Sequence, residues 1–324
     1  MYIGVFNPIF YNESLEEMCQ ILSERDIHSI EMGCGGSPGK RHCDPDVLLN
    51  DEAKLEEFKA TLAKYDMSIC ALSTHNNPVH PKKEIAEESD RELTNAFKLA
   101  QKLGVDTIVT FSGCPGDSET SQRPNWVTCA WPEDYQETLK WQWEEKLIPY
   151  WKKKVEEAKS YGIHKIAFEM HPGFCVYNPY TLLKLRAAVG PEIGANFDPS
   201  HLIWQGVDPV AGIRALGKEN AIFHFHAKDT QIDTYNCAVD GVLDARSFAD
   251  PVHRAWIFRS VGCGHDLLFW KNIVAELRRV GYDKVMSIEH EDCLMSTLEG
   301  LDQAITTLKA AVMKEPIQSD LFWA

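Results

Sequence analysis

Residues 165–170 read KIAFEM, residues 193–198 read IGANFD and residues 222–226 read IFHFH. Each stretch is short and apolar on both faces, with an acid or a histidine at or beside its C-terminal end. Two-sided apolar runs of this length belong to parallel strands covered by helices. Working outward, the same kind of run recurs at 2–7, 29–33, 68–73, 107–112 and 284–289, which makes eight. Amphipathic helical patterns lie between them, at 15–22, 51–64, 85–103, 135–160, 268–280 and 296–313. Ser14 and Glu17 form a capping-box pattern ahead of the first, and Gly104 and Gly281 stand as stop signals behind two others. Eight alternating units in 324 residues, with no G-x-G-x-x-G after the first run, predict an α/β protein. The expected architecture is a (β/α)8 TIM barrel occupying residues 1–324 as one domain. Segments 114–134 and 230–260 are too long for plain connections and read as insertions at the C-terminal mouth. The short tail after Lys314 is expected to pack on the barrel exterior or on a partner.

Composition narrows the function. Hydrophobic residues at 44% and charged residues at 25% supply a packed core and exclude a disordered chain. The formal net charge of −15 repels phosphate backbones and sets nucleic acid aside as a partner. No apolar run approaches the roughly 18 residues that cross a bilayer. The start, MYIGVFNPIF, lacks the basic region and long apolar core of a secretory signal, so a cytoplasmic location without membrane contact is expected. Ten scattered cysteines without a C-x-x-C pair read as reduced thiols.

The chemistry lies at the strand ends. Glu169, Asp198, His226 and Glu289 close four successive runs, in steps of 29, 28 and 63 residues. The first two steps equal one strand–helix unit each, and the third is a unit plus the 230–260 insertion. Barrel strand ends converge at one mouth, so the four side chains should meet within coordination distance. Three carboxylates and an imidazole suit one divalent ion, Mn²⁺ or Mg²⁺ first and Co²⁺ or Zn²⁺ after them. Without a cation, clustered carboxyls would repel and raise one another's pKa. A carbonyl and a neighbouring hydroxyl chelated there would be polarised, and loss of the proton between them would give an enediolate. Glu169 and Glu289, on the fifth and eighth runs, should flank the substrate, with His171 on the same strand face as Glu169. Return of the proton gives isomerisation or epimerisation, and loss of a β-substituent gives elimination. The residues alone leave that choice open.

The segments FEMHPG, NFDPSH, HFHAKD and SIEHED resemble the xylose isomerase-like sugar isomerase/epimerase superfamily, and the likeness spans essentially the whole barrel. That group includes ketose 3-epimerases, hydroxypyruvate isomerase and inosose dehydratase. The resemblance implies that Glu169, Asp198, His226 and Glu289 are the metal ligands and that the two glutamates are the acid–base pair. It implies that His201 contacts substrate. Where the ketose 3-epimerases place an arginine six residues after the metal histidine, this chain has Ile232, and Arg259 is the candidate replacement. The larger subunit of bacterial C-glycoside deglycosidases also resembles this chain. Its reaction would be β-elimination from an oxidised (3-oxo) C-glycoside, the two insertions would suit the bulkier substrate, and a small partner subunit would be expected. The leading expectation is a manganese-dependent isomerase or epimerase of carbohydrate metabolism, as a homo-oligomer or with a small subunit, and a carbon–carbon lyase is second. An apurinic-site endonuclease, with its histidine-richer three-metal site, and a catalytically inactive barrel are the rivals from other classes.

Other residues have two readings each. His75 and Asn76, within STHNNPVH at 73–80, could reach sugar hydroxyls or stabilise a turn. Lys228 could contact substrate or pair with Asp229 to orient a loop. Glu31 could reach a sugar hydroxyl or a neighbouring cation. His224 reads as a structural histidine facing away from His226. GCGGSPGK at 33–40 reads as a flexible loop, and Gly262-Cys-Gly264-His265 as a wrap for a hydroxyl or phosphate at a helix start. Trp126 and Trp131 are lid candidates that could cover substrate, and Trp141 and Trp143 suit an interface.

Overall fold

Each of the eight apolar runs becomes a barrel strand. The computed structural model describes residues 1–315 and 317. Its strands in chain order are β1 (Tyr2–Phe6), β2 (Ser29–Gly36), β3 (Ser68–His75), β4 (Thr107–Thr110), β5 (Lys165–Glu169), β6 (Ile193–Phe197), β7 (Ile222–Ala227), β8 (Asp229–Ile232), β9 (Trp256–Arg259) and β10 (Val285–Ile288). β1 to β7 and β10 form a closed parallel barrel, in which β10 joins β7 to β1. β8 and β9 make a separate antiparallel pair. The architecture is therefore a (β/α)8 TIM barrel.

Strand alternation separates the two surfaces. In β5, Ile166 and Phe168 join the main core, whereas Ala167 belongs to a small separate cluster with Ala71 and Val109. By period two, Glu169 shares the face of Ala167. The main core continues through helix residues such as Phe97, Trp151, Leu185, Ile213 and Trp270, all fully buried.

The helices start and stop where local chemistry directs. Ser14 and Glu17 close a reciprocal capping box on Leu15–Ser23. Asp51 and Ser296 cap Glu52–Lys64 and Thr297–Ala311. Gly104 ends Lys83–Leu103 in the left-handed conformation, φ 71°. The pattern at 135–160 resolves into Glu133–Trp141 and Ile148–Ser160, joined by a π turn over Gln142–Leu147. Pro149 follows that turn, and a widened turn accommodates a residue that has no backbone donor. Trp143 on this turn is buried in the main core, which corrects the expectation of an interface residue.

Two further helices, Pro179–Val189 and Pro209–Gly217, carry proline at the start and side-chain caps from Asn178 and Asp208. β2 runs on through Gly36, so much of GCGGSPGK is strand and not loop. Segment 230–260 holds β8, the short helix Thr234–Asp240 and β9. The tail after Lys314 lies outside the described residues, apart from 315 and 317. Among the described residues, no helix is long and apolar enough to cross a membrane.

Candidate metal and active site

β5, β6, β7 and β10 are consecutive around the barrel, so their C-terminal ends deliver Glu169, Asp198, His226 and Glu289 to one place. One ligand atom from each lies within 4.8 Å of the others. Asp198 caps Pro199–Ile203 through Oδ1, which accepts the Ser200 N–H at 2.7 Å. Its Oδ2, and Nδ1 of His226, are buried with no hydrogen-bond partner among the described residues. Lys228 Nζ stands 3.2 Å from the first and Glu289 Oε2 3.0 Å from the second. These contacts are charge pairs without hydrogen-bond alignment. Three oxygens and one nitrogen, two of the four buried and unpartnered, form a donor set that could hold a hard divalent cation.

Glu31 supports this set from within the barrel. His226 Nε2 lies 2.9 Å from Glu31 Oε2 and His224 Nε2 2.8 Å from the same atom, while Ser73 and Ser287 donate their hydroxyls. A carboxylate behind the far nitrogen orients a ligating imidazole.

The three clustered carboxyls do not all rise, as mutual repulsion alone would require. Burial pushes Asp198 up, and the attraction of Lys228 and His201 does not offset it. Burial also drives Glu169 upward, but the surrounding imidazoles of His201, His226 and His75 outweigh it and hold the carboxyl well below its usual range. Glu289 is likewise raised by burial and is then drawn to about 2 by Lys228 and His226. Lys228 bridges the acids, with Nζ 2.7 Å from Glu289 Oε2 and 2.9 Å from Glu291 Oε2. Burial would lower this ammonium, yet Asp198, Glu289 and Glu291 hold its pKa well above normal. His171 and His201 are shifted down, chiefly by burial.

A cavity of about 300 Å³ opens on the cluster and is lined in part by Phe6, Pro38, Phe111 and Glu291. His75, His171, His201 and Lys228 all line it. His75 Nε2 and His201 Nε2 each approach Glu169 to 3.0 Å, on opposite oxygens. Trp126 lines an adjoining cavity of about 480 Å³. Two expected contacts turn elsewhere. The Asn76 amide bonds Thr74, Ser89 and Glu92, tying β3 to the following helix. Arg259, on β9, pairs with Asp292 at 2.8 Å and lines neither cavity.

Three further readings are corrected. His224 and His226 are two residues apart in one strand, so they share a face, and both reach Glu31. The turn at 262–265 is already filled: Asp229 Oδ2 accepts from the backbone of Gly262 and Gly264 at 3.1 Å and of His265 at 2.9 Å. Asp229 is thus committed to that turn and Lys228 to the cluster. Trp131 is 76% exposed and lines neither cavity. Sequence reading missed Glu291 and Phe111. Glu291 had a signal, since it stands two residues beyond Glu289 in SIEHED. Phe111 is an apolar wall, edge-on to His75 and His171, and had none.

Comparison with known proteins identifies the family and the fold. The family described as xylose isomerase-like TIM barrel matches residues 19–311. The "Uncharacterized protein YfiH" of Bacillus subtilis (strain 168) is 40% identical over 300 residues, covering 92% of this chain and 95% of that protein. Among solved structures, the IOLI protein with a bound zinc atom has a TM-score of 0.65 at 17% identity, over 96% of this chain and 98% of its own. A D-tagatose 3-epimerase-like protein has a TM-score of 0.63 at 20% identity, with the same coverage. These superpositions show the fold, while the family match and the YfiH alignment span the sequence itself. The chain belongs to the xylose isomerase-like TIM-barrel family.

Proposed function

We propose that this protein is a divalent-metal-dependent sugar isomerase or epimerase in which Glu169, Asp198, His226 and Glu289 hold the ion. The observation that carries the proposal is the convergence of these four groups within 4.8 Å, two of their ligand atoms being buried and unpartnered. Mn²⁺ is the ion this oxygen-rich set suits best. When bound, it would supply Lewis-acid polarisation of a sugar carbonyl and the neighbouring hydroxyl.

The residues divide the remaining work. Glu289 is the more open glutamate, its side chain 15% exposed against 3% for Glu169, and it is ionised throughout the neutral range. It takes the proton next to the carbonyl. Lys228, already bonded to Glu289, donates to the oxygen on which charge develops. Glu169, gripped by His75 and His201, serves the second proton transfer, with His171 and His201 as the neutral imidazoles that pass the proton on. Phe6 and Phe111 wall the cavity and keep water from the reactive carbon.

The test is proton exchange. Protein loaded with Mn²⁺ is incubated with a panel of ketoses and sugar phosphates in deuterium oxide. Deuterium should enter the carbon beside the carbonyl of a converted sugar, and chelation should stop it. Release of a substituent without proton return would replace epimerisation by elimination. A protein that takes up no divalent ion overturns the proposal.

A further inference from the structure

Lys228 already holds part of the place a metal ion would need. Its Nζ lies 2.7 Å from Glu289 Oε2 and 3.2 Å from Asp198 Oδ2. Both carboxylates belong to the four clustered groups. The same Glu289 oxygen is 3.0 Å from Nδ1 of His226, a third member. The lysine side chain is fully buried, so water does little to screen its charge. A divalent ion held by Asp198 and Glu289 would compete with this ammonium for their oxygens and repel it at short range.

The displaced ammonium would need another partner, because a buried charge left alone is costly. Two contacts outside the cluster supply one. Glu291 Oε2 accepts from Lys228 Nζ at 2.9 Å. Among the described residues, Lys228 is the one ion-pair partner of Glu291. The Glu291 side chain is half-exposed, whereas Glu289 and Asp198 lie deeper. The Phe258 ring lies 4.6 Å from Nζ on another side and offers a cation–π contact that engages no ligand. Glu291 and Lys228 both line the cavity over the cluster, so an ammonium kept by Glu291 stays at the cavity wall.

We infer that Lys228 is a resident counter-cation that competes with the metal ion for Asp198 and Glu289. Glu291 is the seat to which its ammonium withdraws when the ion enters. Glu291 is thus a positioning residue, acting on the cluster through Lys228. The inference rests on the reading of the cluster as a metal site and adds what sets its affinity.

Titration calorimetry with Mn²⁺ on the full chain, stripped beforehand with a chelator, tests it. Four proteins are compared: wild type, Lys228→Met, Glu291→Gln and the double variant. Lys228→Met keeps an apolar stem and removes the charge, so it should bind Mn²⁺ at least about tenfold more tightly than wild type. Glu291→Gln leaves the ammonium on the ligand oxygens and should bind about tenfold more weakly. In the Lys228→Met background the Glu291→Gln change should alter affinity by less than about threefold, because its effect passes through the lysine. Glu291 is half-exposed, so Glu291→Gln stays folded, and Lys228→Gln takes the place of Lys228→Met if the latter does not fold. Unchanged affinity in either single variant, or equal weakening by Glu291→Gln in both backgrounds, overturns the inference and spares the metal site. Uptake by Lys228→Met but not by wild type sustains the inference and overturns the proposed function. Uptake by none of the four proteins overturns both.

Discussion

Glu31 is fully buried between two imidazoles, and its carboxylate accepts from two serines as well. Burial alone would raise its pKa, but the charges and hydrogen bonds of His226 and His224 outweigh it and hold the group well below its usual range. It is therefore an anion that fixes His226 with Nδ1 turned toward Glu169 and Glu289. Glu31→Gln keeps the shape and removes the charge. It should weaken Mn²⁺ binding by about 10–100-fold, read by calorimetry, with an unchanged circular dichroism spectrum. An unaltered affinity would remove Glu31 from the site's support. Glu289→Gln tests the other side of the cluster. Its amide still fills the space beside Lys228 but cannot take a proton, so turnover should fall by about 10²–10⁴-fold while the protein stays folded. Full activity in that variant would contradict the base assigned here. The four clustered residues were readable from sequence because each ends a strand and the strand spacing is regular. The support was not. Nothing local in Ser29–Gly36 says that Glu31 will meet residues nearly two hundred positions away, and Lys228 reads equally well as the partner of its neighbour Asp229.

At the scale of elements, polar caps decide how the segments seat. Asp229 begins β8 and gathers three backbone donors of the turn at 262–265 together with the Trp270 indole at 3.2 Å. Gly264 is obligatory there, since a Cβ would lie 2.4 Å from the Thr230 carbonyl oxygen. Asp229→Ala would strand those donors in a buried place and should cost about 3 kcal/mol or more in urea unfolding, with partial recovery in Asp229→Asn. A cost near zero would show the turn to be held by something else. Asp46 offers a pH-dependent counterpart. It joins Lys40 to Arg91 on Lys83–Leu103, and chiefly the Arg91 hydrogen bond draws it down to about 2. A depressed folded pKa gives stability that is full above the unfolded value of 3.8 and is lost as pH falls toward about 2. The pair is half-exposed, so Asp46→Asn should cost under about 1 kcal/mol at neutral pH, and the gap to wild type should close across that acid window. Strands were legible because a two-sided apolar run is a local signal. Pro179–Val189 was less so, being short, and its start is marked only by Asn178 and Pro179. The β8–β9 pair depends on contacts across an insertion, and Trp256 and Phe258 there have no periodic partner in their own segment.

At the scale of the whole molecule, an ion bound at the cluster would make stability depend on its concentration. Four barrel strands meet at Glu169, Asp198, His226 and Glu289, so an ion held there crosslinks β5, β6, β7 and β10. Because the cluster exists only in the folded chain, any ion it binds must stabilise the fold by mass action, about 2.7 kcal/mol at a hundred times the dissociation constant. For a chain of this size that amounts to roughly 5 °C in Tm. Mn²⁺ should therefore raise the melting temperature in a concentration-dependent way, and a chelator should reverse it. Asp198→Ala removes a ligand and also the cap of Pro199–Ile203, so its baseline Tm should fall as well. The decisive quantity is the shift and not the baseline: the variant should show little or none where the wild type shows several degrees. A wild-type protein indifferent to Mn²⁺, Mg²⁺, Co²⁺ and Zn²⁺ alike would mean that Lys228, with Nζ already 2.7 Å from Glu289 Oε2 and 3.2 Å from Asp198 Oδ2, is the only cation the site takes. An equal shift in Asp198→Ala would place the binding elsewhere on the acidic surface.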